Sequence, residues 1–405
     1  MTVDISSNAT TTTSYSSAKR IKWETELLKK AEDYLLAERF SWPQALKKGE
    51  AGTVRFNKLL RPAKKTTASI EGILQTVTDA KKLVTNYIDV TPNTFEDSFV
   101  FTDDVGIEAF ITDEQNQEEI AGQMARSLEY QIQKIIAQGG MRHRIDNDSN
   151  YIVASTVDSA TSTTIVDAVL TQANDYWDGG YCTITNPEGP GYDETHFVAN
   201  FTAADDTLDF TGDAWTNAPT TASKYRLVVG TGITSADLIT TTGLIMVRRL
   251  HRHLGTEMFE GGTYRAFVNA DQEADLWADT DWKATAQYDD SGRYKDYRLV
   301  RWMGIEFYIG SQLWRETVAG VEAEADGAVH IAPVFGRKAY SIFRWGMGSG
   351  EFGVKWYYKD QADSQDLTNR SKAISWKAKF AGKVLRSTSI VGLMTGATAS
   401  NLLVK

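Results

Sequence analysis

Residues 112–140 read TDEQNQEEIAGQMARSLEYQIQKIIAQGG, the longest uninterrupted helical pattern in the chain. Thr112 and Gln115 have capping-box spacing, so each side chain can satisfy a backbone donor that the first turn leaves free. Asp113, Glu114, Glu118 and Glu119 set negative charge against the positive end of the helix dipole. Apolar residues recur at Ile120, Met124, Leu128, Ile132 and Ile135, in steps of three or four that form one stripe. Gly139 and Gly140 are expected to stop the helix by taking left-handed conformations. At 1.5 Å rise per residue, such a helix is a rod of roughly 40 Å. Its polar face carries no catalytic pair, so it reads as a structural spine.

The chain's 405 residues suffice for two or three cores. With 42% hydrophobic and 24% charged residues, the composition is that of a soluble folded protein. No apolar run approaches the ~18 residues of a membrane span. The opening MTVDISSNATTTTSYSSAKR lacks the layout of a secretion signal and reads as a flexible arm. A helix is expected over residues 23–39, ended by Trp42-Pro43. Strands are expected over 52–60, 83–90 and 95–101, the first two joined by a polar excursion over 61–82. An excursion with so little apolar content cannot form a core and needs a neighbouring molecule to lean on.

After the rod the composition shifts. Residues 147–230 are dense in Thr, Asp, Gly and Asn, with short strand patterns at 163–166, 181–185, 196–201, 207–210 and 225–229. Turn residues every 8–12 positions predict a small β-sandwich or barrel. Helical spacing resumes over 233–258, with Ser235 as a plausible cap. A strand (264–269), a short helix (272–277) and a strand-turn-strand around Gly304 follow. The end is β-rich again, at 330–334, 338–344, 353–358 and 373–391. Helices and strands mix without a βαβ repeat, which makes the class α+β.

Chemistry is sparse. One cysteine, Cys182, excludes an internal disulfide and a cysteine-rich metal site, and reads as a small buried hydrophobe. Residues 348–353, GSGEFG, match G-x-G-x-x-G, but the strand-like GVKWYYKD follows where a phosphate cradle needs a helix. His251 and His253 stand about 200° apart on the predicted helix and cannot share a metal there. His143, His196 and His330 have no regular ligand spacing and read as packing or solvated residues. The acidic pairs Asp103-Asp104, Asp205-Asp206 and Asp289-Asp290 fit no EF-hand layout. No catalytic, cofactor-binding or metal residue is assigned. The formal net charge of −10 disfavours tight nucleic-acid binding. The pairs Lys29-Lys30, Lys47-Lys48, Lys64-Lys65 and Lys81-Lys82 read as solvated faces or subunit contacts. Eleven tryptophans, scattered from Trp23 to Trp376, read as core and interface packing.

Arm, protruding loop, rod and compact α+β region suit a subunit of a large regular shell, in which each molecule overlaps the next. A resemblance supports this. Residues 267–310, FVNADQEADLWADTDWKATAQYDDSGRYKDYRLVRWMGIEFYIG, resemble a strand, short helix, Asp-x-x-Trp element and glycine turn of tailed-bacteriophage major capsid proteins with the HK-97-type fold. Within that class the chain is similar to the N4-like phage coat proteins. Residues 332–343, APVFGRKAYSIF, and 369–393, NRSKAISWKAKFAGKVLRSTSIVGL, add to it, as do Gly52 to Phe56 and Glu71-Gly72 upstream.

The resemblance implies an N-terminal arm (1–49), an extended loop with flanking strands (50–103) and a peripheral domain with the spine helix (104–146). It further implies an axial domain (231–345) and peripheral strands with the C-terminus (346–405). Residues 147–230 depart from many relatives and read as an inserted β-rich domain on the outer face. The implied function is a major capsid protein that self-assembles into hexamers and pentamers of an icosahedral shell enclosing double-stranded DNA. Its implied partners are itself, scaffold, portal and decoration proteins, and packaged DNA contacted weakly and non-specifically, with no membrane. The virion is the implied location, after assembly in the host bacterial cytoplasm, and no enzyme activity or cofactor is implied. Two rival readings remain: a carbohydrate-binding or carbohydrate-active protein, from the tryptophans and acidic balance, and another virion or surface-layer structural protein.

Overall fold

The computed structural model describes residues 36–46, 54–59, 85–102, 113–187, 189–288, 298–310, 313–317, 319–321, 329–345, 354–359 and 371–397. These belong to two compact units, formed by Met1–Val54, Val90–Ile132 and Ile342–Gly382, and by Arg55–Asp89, Gln133–Ser341 and Lys383–Lys405. The expected helix over 23–39 lies outside the described residues through Leu35, after which come a turn at Leu36 and Ala37 and a 3-10 helix, Glu38–Phe40. Trp42–Leu46 is then a strand.

The first unit holds a five-stranded sheet. Its long strand, Ser371–Val384, is flanked by Asn93–Thr102 on one side and Val354–Lys359 on the other, both antiparallel. Phe95 stacks on Phe380 at 4.8 Å across one of these pairs. Helix α1, Asp113–Gly139, is the rod read from the sequence, 27 residues long. Its Gln123 accepts from Trp376 Nε1 at 3.3 Å and donates to Asp97 at 3.2 Å, which ties the helix to this sheet. The Thr112–Gln115 cap lies outside the described residues. The buried stripe is Ile120, Met124, Leu128, Ile132 and Ile136, so Ile136 takes the place expected for Ile135, which is half-buried. A second buried row, Ala121, Ala125, Glu129, Gln133 and Ala137, runs beside it. The small alanines let packing widen to two rows, and a strict one-stripe pattern understates that contact.

Gly139 and Gly140 do not adopt positive φ. They are required by close approach instead. A Cβ on Gly139 would stand 2.5 Å from Val384 Cγ2, and one on Gly140 would stand 2.6 Å from Ile390 Cγ2. The chain passes directly into strand Met141–Arg144.

In the second unit a seven-stranded mixed sheet runs in the order Arg298–Trp302, Ile305–Ile309, Tyr264–Val268, Val329–Phe335, Ile390–Thr395, Met141–Arg144, with Arg315–Glu316 also on Val329–Phe335. Tyr264–Val268 is parallel to Ile305–Ile309, and Ile390–Thr395 is parallel to Met141–Arg144. Every residue of Val329–Phe335 and Ile390–Thr395 is buried, matching their near-continuous apolar sequence. The 373–391 stretch is therefore two strands in two sheets, separated by a 3-10 turn at Ser387–Ser389. Met303 (φ 42) and Gly304 (φ 79) make the two-residue turn between Trp302 and Ile305, with both positions at positive φ as a primed hairpin turn requires.

Helix α2 is Thr241–His253, not 233–258, and its cap is Thr240 rather than Ser235. Residues 233–240 are irregular around a turn at 235–236, with Asp237 accepting from Thr234 N at 2.7 Å and from its hydroxyl at 3.0 Å. Helix α3, Ala270–Ala278, opens on a capping box between Asn269 and Gln272. Helix α4, Thr280–Tyr288, has no counterpart in the sequence reading. The core of this sheet joins Leu244, Val247, Leu276 and Trp282 from the helices to Phe307, Val334 and Leu393 from the strands.

Residues 152–228 form two four-stranded antiparallel sheets: Thr195–Phe197, Tyr181–Ile184, Lys224–Val228, Ile152–Thr156; and Asn200–Thr202, Thr207–Asp209, Thr164–Val166, Ser159–Ala160. The expected 196–201 strand divides between the sheets. Trp177, Cys182, Ile184, Phe201, Leu208, Phe210 and Leu227 share one apolar cluster, drawn from both sheets. Finally, Val54–Leu59 pairs with Thr85–Val90 as a two-stranded ribbon, which joins the two strands expected on either side of the 61–82 excursion. The excursion itself lies outside the described residues.

Candidate functional site

Helix α2 has two chemically opposite faces. Leu244, Val247 and His251 are buried. On the other side Ile245, Arg248, Arg249, Arg252 and His253, at i, i+3, i+4, i+7 and i+8, line an open depression of about 520 Å³. Ile245 is 43% exposed there. Arg248 reaches toward the Met303-Gly304 turn, its Nη2 lying 3.8 Å from where a Cβ on Gly304 would stand. Met303 is 52% exposed.

Among the described residues, Arg248, Arg249 and Arg252 have no carboxylate partner. Five other arginines are paired with carboxylates: Arg126 with Glu119 (2.8 Å), Arg142 with Glu316 (3.2 Å), Arg144 with Asp146 (2.7 Å), Arg265 with Glu306 (3.6 Å) and Arg315 with Asp271 (3.4 Å). The helix dipole accounts for cations in the last turn, Arg252 and His253. It does not account for Arg248 and Arg249, a turn earlier. Sequence reasoning passed over this face; its signal was the arginine spacing 248, 249, 252 on a predicted helix.

Buried polar side chains form networks at other places in the fold. Glu316 Oε2 accepts from Arg142 Nη2 (3.2 Å), Tyr181 Oη (3.2 Å) and Trp314 Nε1 (3.1 Å). The Arg142 guanidinium lies 4.2 Å over the Tyr181 ring. Burial pushes the Tyr181 hydroxyl well above its ordinary pKa, so it remains a donor. Arg144 forks onto Asp146 (3.0 and 2.7 Å) and donates to the carbonyls of Val229 (2.8 Å) and Thr231 (2.6 Å). One guanidinium thus joins both ends of the segment that carries the two four-stranded sheets. In the other unit, the buried carboxylate of Glu129 on α1 accepts from the Ala37 amide at 3.0 Å.

The histidines divide by environment. His251 is fully buried, with Nε2 3.1 Å from the Val334 carbonyl, and burial lowers its pKa to about 4. His330 is lowered to about 4 by burial and then by Arg315. His143 is lowered to about 3 by burial and then by Arg226, whose Nη2 lies 2.8 Å from its Nδ1. His196 differs. Burial opposes its charge, but Asp213 and Glu194 outweigh that and raise it to about 9. Its Nε2 is 3.3 Å from Glu194; its Nδ1 is 3.1 Å from Asp213, an ion-pair contact off the line of a hydrogen bond.

The other sequence candidates fall as follows. Cys182 is buried in the apolar cluster between the two sheets, as read. The 348–353 glycine run, Asp103-Asp104, Asp289-Asp290 and all four lysine pairs lie outside the described residues, although the strand expected after the glycines is present as Val354–Lys359. Among the described residues no group of three His, Cys, Asp or Glu is placed to hold a metal ion, and no helix is long and apolar enough to cross a membrane. Trp177, Trp215, Trp282, Trp302, Trp314 and Trp376 are buried, which removes them from any sugar-stacking platform.

No protein-family profile and no curated protein matches the sequence. Among solved structures, the chain is similar to the capsid of cyanophage Pam1, with a TM-score of 0.51 and 13% identity over 90% of this chain and 93% of that chain. It is also similar to the capsid of Ralstonia phage GP4 (TM-score 0.48, 12% identity, 89% and 88% covered). A third likeness is to the capsid of cyanophage P-SCSP1u (TM-score 0.47, 10% identity, 87% and 86% covered). The fold is a mixed α/β phage capsid fold.

Proposed function

We propose that this chain is the major capsid protein of a tailed phage, and that its copies assemble as hexamers and pentamers into an icosahedral shell around double-stranded DNA. The observation that carries the reading is the end-to-end likeness to the cyanophage Pam1 capsid chain, which spans 90% of this chain and 93% of that one. In this reading the fold is of the HK-97 type and the chain is similar to N4-like coat proteins. Residues 1–49 are the arm, 50–103 the extended loop, and 104–146 the peripheral domain with α1 as spine. The two four-stranded sheets belong to an inserted domain, 147–230, on the outer face. Residues 231–345 form the axial domain and 346–405 return to the periphery.

Work of this kind needs geometry and surface rather than a reaction centre. The paired strands Val54–Leu59 and Thr85–Val90 support the loop assignment, because they supply a stem for the 61–82 excursion. Scaffold, portal and decoration proteins are the further partners proposed, with loose contact to packaged DNA and residence in the virion after assembly in the host cytoplasm. Negative-stain microscopy and sedimentation of the expressed chain test the reading. Capsomers or closed shells are expected; a protein that stays monomeric across concentration and salt would sink it.

A further inference from the structure

We propose that the cationic face of α2 docks a carboxylate-bearing surface of a second copy of this chain, an inference that rests on the self-assembly reading and names one contact within it. Arg248, Arg249 and Arg252 stand on two successive turns, Arg248 and Arg252 separated by a rise of about 6 Å, and line the same open depression. The chain supplies none of them with a carboxylate among the described residues, although it carries 53 acidic residues against 43 Lys and Arg. Like charges crowded on one face repel and are stabilised by an anion from outside. A guanidinium fork matches a carboxylate in two parallel hydrogen bonds, so each arginine both attracts and orients such a partner.

Two observations favour a protein over a nucleic-acid backbone. First, exposed apolar side chains flank the arginines: Ile245 within the depression and Met303 in the turn beside Arg248. Arginine and methionine without lysine is the composition of a protein interface core. Second, another copy of the chain brings 53 acidic residues, whose carboxylates are the groups that arginine forks pair with.

The test uses the full chain in three forms: wild type, Arg248→Glu/Arg249→Glu/Arg252→Glu, and Arg248→Lys/Arg249→Lys/Arg252→Lys. Self-association is followed by sedimentation across protein and salt concentration, and binding of a short fluorescent DNA duplex is followed in parallel. The expected result is association that weakens with salt, falls by roughly tenfold or more on charge reversal, and is intermediate with lysine. If the reversed variant loses its circular-dichroism signal, Arg249→Gln/Arg252→Gln replaces it and must still weaken association. Wild-type association with no loss in the variants overturns this contact and leaves the capsid reading intact. Arginine-dependent duplex binding with unchanged association overturns it in favour of a polyanion site. A wild type that never associates overturns both.

Discussion

His196 shows how one side chain can set a pH limit. Folding raises its pKa from about 6.5 to about 9, because Asp213 and Glu194 hold the charged ring. A raised folded pKa means that the stabilisation is complete below pH 6.5 and is lost as pH climbs toward 9. Asp213 is half exposed, its side chain 52% accessible, so solvent screening reduces the effect to on the order of 1–2 kcal/mol. His143, His251 and His330 work in the opposite sense. Their folded pKa values are depressed to about 3, 4 and 4, so the unfolded chain gains protons first and stability falls as pH drops below 6.5. Urea unfolding followed over pH 4–10 should therefore give a maximum near neutrality. His196→Gln should flatten the alkaline limb while leaving the fall below pH 6.5 that the other three histidines produce. An alkaline limb that persists in that variant would show that another group titrates there.

At the scale of elements, periodicity carried far and then stopped for identifiable reasons. The rod α1, the hairpin at Gly304 and most short strands of 152–228 were legible because one face of each is buried and the pattern shows it. The break at Ser387–Ser389 was not: Arg386 and the three hydroxyl residues interrupt the apolar pattern there, but such residues also occur within strands, and only strand partners reveal a change of sheet. Gly139 and Gly140 looked like a left-handed stop, but their reason is Val384 and Ile390, residues about 250 positions away. The cationic face of α2 was visible as letters, while its lack of carboxylate partners is a tertiary fact. Arg144 is of the same kind. It is one of 43 Lys and Arg in the sequence, yet it bonds Asp146 before the double-sheet segment and Val229 and Thr231 after it. Lysine keeps the charge but cannot reproduce a planar fork that serves a carboxylate and two carbonyls at once. Arg144→Lys should cost roughly 2–4 kcal/mol in denaturant unfolding, with the loss concentrated in this segment. Limited proteolysis should then cut within residues 147–231 before the rest of the chain. Uniform cleavage along the chain would show that Arg144 is not what joins the two ends.

For the whole molecule, the question is which parts the fold needs and which parts the assembly needs. The two-stranded ribbon Val54–Leu59 and Thr85–Val90 answers part of it, since among the described residues neither strand joins a larger sheet. An isolated two-stranded ribbon is marginal in water and gains its stability from a surface laid against it. The intervening 61–82 stretch has two lysine pairs, Pro62 and Gly72 and too few apolar residues for a core. Replacing 61–82 by a short Gly-Ser turn should therefore leave the thermal unfolding midpoint of the subunit within a few degrees of wild type. Shells and capsomers should disappear from micrographs of the same preparation. Loss of the folded subunit itself would mean that the excursion is part of a core, and assembly that survives the deletion would mean that neighbours are held by other surfaces.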